Sequence, residues 1–129
     1  MADPSLNFTS FSAWLDSALS VSIPANVVGF RFNLYEHEDS YQIQIVGVDR
    51  FERGNAIGES DPIFFTPEEF LFPITKLPGD EDWRRGLDEA IAYINCYLAS
   101  CEKADTLRAS QGVGCGFVDG DLHVLWPVA

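Results

Sequence analysis

Cationic side chains are scarce in this chain. Eight Lys and Arg stand against 20 Asp and Glu, a formal net charge of -12 over 129 residues. A surface so poor in positive charge repels phosphate backbones and anionic lipid, so nucleic-acid and membrane-surface binding are excluded as working expectations. Long apolar runs are missing too, with none near the ~18 residues that cross a bilayer. The opening MADPSLNFTSF has neither the basic start nor the apolar stretch of a secretory signal. The expected compartment is therefore the cytoplasm. Without secretion, the Asn7-Phe8-Thr9 sequon is a chance match.

Cysteine is also sparse, at three residues. Cys96 and Cys101 fall on one expected helix, where five positions at ~100° each leave them about 140° apart, unable to bridge. Cys115 sits in a separate expected strand. An odd number of buried-looking thiols suits a reducing compartment. Histidine occurs twice. His37-Glu38-Asp39 is the one grouping that invites a metal, but its members are adjacent instead of spaced to converge. It reads as a solvated turn, and no metal or cofactor is expected.

What the chain does have is apolar and aromatic mass, 47% and 13% of residues respectively. That separates it from an acidic disordered tail. The length suits one domain that buries about two-thirds of its unfolded surface. Residues 1–8 read as a loose leader. Thr9 or Ser10 then caps a helix running to about Ser20, whose apolar face is Phe11, Trp14, Leu15, Ala18 and Leu19. Val27–Glu36 and Tyr41–Val48 alternate with a period of two around the polar turn 37–40, which predicts an antiparallel hairpin. Residues 49–61 read as a loop. Pro62–Phe65 and Phe70–Ile74 are short apolar runs, one or both of them strands, with a bend at 66–69 between them.

After the Pro78-Gly79 turn, Asp80 is placed to cap a long helix. Its stripe is Trp83, Leu87, Ile91, Ile94, Leu98 and Cys101, widened by Ala90, Tyr93 and Tyr97. A short helix over 104–110 and a hairpin turning at Asp119-Gly120 complete the order. Strands cluster instead of alternating with helices. The expected class is therefore α+β, a single domain over 1–129, with a mostly antiparallel sheet packed against the N-terminal helix and the long helix.

No motif of strong chemical specificity is present, and no catalytic residue is assigned. Gly112, Gly114 and Gly116 bare one strand face. Phosphate-cradling glycine loops open a helix, so the stripe reads as a place of close packing or a bend. Cys115 belongs with Val113 and Phe117 on the apolar side, whereas His123 is read as facing away from Leu122 and Val124. A Cys–His pair is therefore not expected to form.

The acids gather instead. Glu36, Glu38, Asp39, Asp49, Glu52, Glu59 and Asp61 form the densest stretch, with Glu68, Glu69, Asp80, Glu81 and Asp82 as a second group. They read either as a solubilising face or as a docking patch for a basic protein. Tyr35 and Tyr41 flank the first hairpin turn. They would serve as interface anchors if partly exposed, or as a cross-strand pair that steadies the hairpin. Trp14, Trp83 and Trp126 fall at positions expected in the core.

The pieces VGFRFNLYE, YQIQIVGVDRF and GVGCGFVDGDL resemble small acidic bacterial proteins of the toxin-immunity type. The likeness covers about two-thirds of the chain, mostly its sheet segments. The stretch from Gly54 to Phe72 departs from that pattern. The resemblance implies a cytoplasmic neutraliser that covers a basic toxin, often a nuclease, with carboxylates standing in for phosphates. It supplies no catalytic residue. The leading expectation is a non-enzymatic binding protein whose contacts are the seven acids of the first stretch with Tyr35 and Tyr41. The alternatives are a self-associating structural or adaptor module and a small ligand carrier or enzyme using the glycine face, and the expected state is a monomer or homodimer.

Overall fold

The computed structural model describes residues 4–20, 23–38, 40–49, 62–65, 71–75, 83–101, 104–117 and 123–126. Among these residues nine elements follow in the order α1 (Pro4–Leu19), β1 (Gly29–Glu36), β2 (Ser40–Val48), β3 (Pro62–Phe65), β4 (Phe72–Thr75), α2 (Trp83–Ser100), α3 (Ala104–Arg108), β5 (Gly112–Phe117) and β6 (His123–Trp126). The class is α+β with a mostly antiparallel sheet, as the clustering of strands predicts. The expected loop over 50–61, the bend at 66–69, the caps at 80–82 and the turn at 119–120 lie outside the described residues.

The leader expected over 1–8 is corrected for its described part, because α1 begins at Pro4. Proline is tolerated in a first helical turn, where its missing N–H has no partner to lose. Phe8, three residues before Phe11, extends the apolar stripe and packs on the core. Thr9 is consequently inside the helix rather than at its cap.

Six strands form one sheet in the order β3-β2-β1-β5-β6, with β4 also pairing β2. The hairpin register sets Phe30 opposite Gly47, Phe32 opposite Ile45, Leu34 opposite Ile43 and Glu36 opposite Tyr41. Parallel pairing of β1 with β5 aligns Phe30 with Val113, Phe32 with Cys115 and Leu34 with Phe117. Because side chains alternate across a strand, these residues share one face with Phe72 and Ile74 of β4.

Both long helices pack on that face. Phe11 is its hub, 5.3 Å between ring centroids from Phe72, 5.4 Å from Tyr93 and 5.6 Å from Trp14. Ala90, Ile94 and Tyr97 of α2 are fully buried against it. Trp14 is buried as expected, while Trp126 is only half-buried.

Candidate functional site

The second face of the sheet carries different chemistry. On β1 it presents Gly29, Arg31, Asn33 and Tyr35, and on β2 Val48, Val46, Gln44 and Gln42 in register with them. On β5 it presents Gly112, Gly114 and Gly116, aligned with Gly29, Arg31 and Asn33. The glycine stripe therefore runs beside a long and a polar side chain that both need room. Arg31 and Asn33 are 5% and 8% exposed, and the three glycines are buried. Burial draws the Arg31 guanidinium below its ordinary value, with Tyr35 acting in the opposite sense.

This face grades from apolar at Val46 and Val48 to polar at the hairpin turn, where burial is partial. There the Tyr35 hydroxyl donates to Gln44 Oε1 at 2.8 Å, and Gln42 Nε2 donates to Ser40 Oγ at 2.8 Å. The turn is closed by the His37 amide donating to the Ser40 carbonyl at 2.8 Å. Tyr35, His37, Gln42, Gln44 and Leu71 line a cavity of about 480 Å³. Clefts of this size, roughly 300–1,000 Å³, are where small groups are usually held. Among the described residues of this lining, Tyr35 and His37 are the titratable side chains, beside two amides and one leucine.

The expected contact residues divide. Glu36 and Glu38 are exposed at the turn, Glu36 in register with Tyr41 on the face opposite the cavity, and Tyr35 is half-buried in the cavity wall. Asp49 is exposed but follows Val48, which pairs with Gly29 at the far end of the hairpin. Eight strand steps separate it from Glu36, roughly 26 Å at ~3.3 Å per residue. Asp39, Glu52, Glu59 and Asp61 lie outside the described residues.

Tyr41 is a correction. It is 1% exposed and faces the helices, so its ring is unavailable to any partner. Its pairing with Glu36 and Ile74 turns it inward, where it meets Phe117 edge-on at 5.8 Å. Tyr35 pairs with Gln42 on the opposite face, so the two tyrosines are not a cross-strand pair either.

Two further expectations change. The register places His123 directly across from Cys115, on the helix-facing side, because an irregularity between Val113 and Gly114 breaks the simple alternation of β6. Even so, His123 is exposed and Cys115 is fully buried, with burial pushing its thiol well above the ordinary thiol range. A thiol held protonated is a poor nucleophile. Cys96, read as buried, is exposed. Among the described residues no three His, Cys, Asp or Glu converge as metal ligands, and no helix is long and apolar enough to cross a membrane.

The sequence reading missed the cavity itself. Its signal was present in the polar positions 33, 35, 42 and 44, which alternate with the core residues on both strands. No family model matches the chain, and no curated protein or solved structure matches it either.

Proposed function

We propose that this protein is a non-enzymatic binding protein of the toxin-immunity type, which docks a basic protein at the turn end of β1 and β2. One observation carries the reading: a cleft lined by Tyr35, His37, Gln42, Gln44 and Leu71 opens at the turn end of β1 and β2, where Glu36 and Glu38 are exposed, on a chain of net charge -12. Excess negative potential speeds encounter with a basic partner, and local complementarity then sets the register of the complex. The half-buried Tyr35 gives the contact an aromatic anchor that is already oriented by Gln44. Asp49 stands too far away to share the same contact and contributes to long-range attraction only.

The test is binding to the basic product of the adjacent gene, followed by biolayer interferometry across a salt series. The double variant Glu36→Gln/Glu38→Gln should slow association and flatten its dependence on salt, leaving dissociation less affected. Equal association rates for the variant and the parent chain would remove the docking site from this turn.

A second reading rests on β6. It ends the sheet order, and Val124, Leu125 and Trp126 are only half-buried. Unprotected edges invite pairing with another strand. Sedimentation over a range of concentrations distinguishes the two, since a tight homodimer that ignores the basic partner favours self-association.

A further inference from the structure

We propose that the cavity walled by Tyr35, Gln42 and Gln44 receives an arginine side chain of the docked partner. This inference rests on the docking reading and names the group that fills the site. The hydrogen bonds already made within the cavity decide what it lacks. The Tyr35 proton is committed to Gln44, so the phenol oxygen offers lone pairs. The Gln42 amide nitrogen gives one N–H to Ser40, and among the described residues nothing donates to its Oε1.

Next inward on the same face, opposite Gln44, the buried Asn33 Oδ1 has no hydrogen-bond partner among the described residues. Three acceptors thus lie along one face of the sheet, two in the cavity wall and one buried beside it. An orphaned buried acceptor is costly, and a guest rich in N–H groups relieves that cost. Asn33 lies one step beyond the cavity wall and is reached directly or through one bridging water.

Guanidinium meets these demands better than other common groups. It presents five N–H donors in a plane and no acceptor. Its flat face stacks on an aromatic ring such as Tyr35, and its aliphatic stem suits the apolar wall at Leu71. An ammonium has fewer donors and no plane to stack. Glu38, exposed at the turn one residue past His37, and the chain's net charge of -12 supply the opposite charge. Arg31, the residue beyond Asn33 on this face, sets the inner limit: its buried guanidinium opposes a second cation going deeper. The guest charge therefore stays near the mouth, at the turn end of the hairpin.

The experiment is an NMR titration of the full ¹⁵N-labelled chain with N-acetyl-arginine amide, with the citrulline and lysine analogues as controls. The arginine probe should move the side-chain amide signals of Gln42, Gln44 and Asn33. Citrulline, equal in shape but neutral, should move them far less, and lysine should bind more weakly than arginine. Gln42→Leu should weaken the arginine probe about fivefold, the worth of one hydrogen bond, with the backbone spectrum retained.

Unmoved side-chain amides, or equal shifts with citrulline, would overturn the assignment. In that case the docking reading still stands if partner association depends on Glu36 and Glu38. If the arginine probe binds but partner association ignores those glutamates, the arginine site stands and the docking reading falls.

Discussion

The Tyr97 hydroxyl donates to the Asp16 carboxylate at 2.6 Å, joining α2 to α1 across 81 residues of sequence. Tyr97 is fully buried and Asp16 partly so, which makes this the polar clasp of an otherwise apolar helix pair. Hydrogen bonds to charged groups contribute about 1.5–3 kcal/mol, less where solvent reaches one partner. Tyr97→Phe should therefore cost about 1 kcal/mol in urea unfolding. Asp16→Ala should cost more than its own packing loss, because the phenol is left buried without an acceptor. A double-mutant cycle on the two should return a favourable coupling, and additivity within error would show that the clasp contributes nothing.

Alkali should destabilise the fold. Burial raises the Tyr97 phenol far above its ordinary 10.0, aided by the hydrogen bond and charge of Asp16, and burial alone raises the Cys115 thiol above its ordinary 9.0. In both cases the folded chain holds a proton that the unfolded chain releases. Stability is thus unaffected by these groups below their ordinary values and falls as pH climbs past 9.0 and then 10.0. Urea midpoints measured on both sides of this window should decline, and the decline should shrink in Tyr97→Phe.

Gly86 is where α2 crosses the ring of Tyr41. A Cβ there would lie 2.6 Å from two of the ring carbons. The ring is 1% exposed and wedged against Phe117, so it has little room to swing aside. Gly86→Ala gains about 1 kcal/mol of helix propensity, yet overpacking costs about 1–3 kcal/mol. We expect a net loss of thermal stability. Adding Tyr41→Leu should make the alanine much less harmful.

Thiol reactivity should be graded. Cys96 is exposed, Cys101 half-buried and Cys115 buried, and all three are free. With a disulfide reagent at mildly alkaline pH, Cys96 should react first. Cys115 should react only on unfolding, since both access and thiolate formation are denied to it. Rapid modification of Cys115 in the folded chain would contradict its burial.

Much of the architecture was legible because its signals are local. The alternation of Phe30, Phe32 and Leu34 with Arg31 and Asn33 marks β1, and the periodic apolar stripe of α2 marks the long helix. Signals that depend on neighbours were not legible. Pro4 and Phe8 looked like a leader because a short polar stretch carries little periodicity, and packing of Phe8 on the core decides otherwise. The face of His123 depends on an irregularity against β5 that no alternation within β6 reveals. Of the candidate site, Glu36, Glu38 and Tyr35 could be read from the turn, but the inward turn of Tyr41 could not, since two tyrosines flanking a turn look equivalent until register sets them on opposite faces.

Composition and period by themselves determined that this chain is an acidic α+β domain with a hairpin ending in charge. They did so because charge sums over residues and burial repeats along each element. The parallel pairing of β1 with β5 was decided only in three dimensions, as were the alignment of Arg31 and Asn33 beside bare glycines and the cavity under Tyr35. The β1–β5 features arise from contacts between segments some 80 residues apart, and the cavity from the meeting of the hairpin with Leu71, so free energy there depends on which surfaces meet and not on the order of residues within either one.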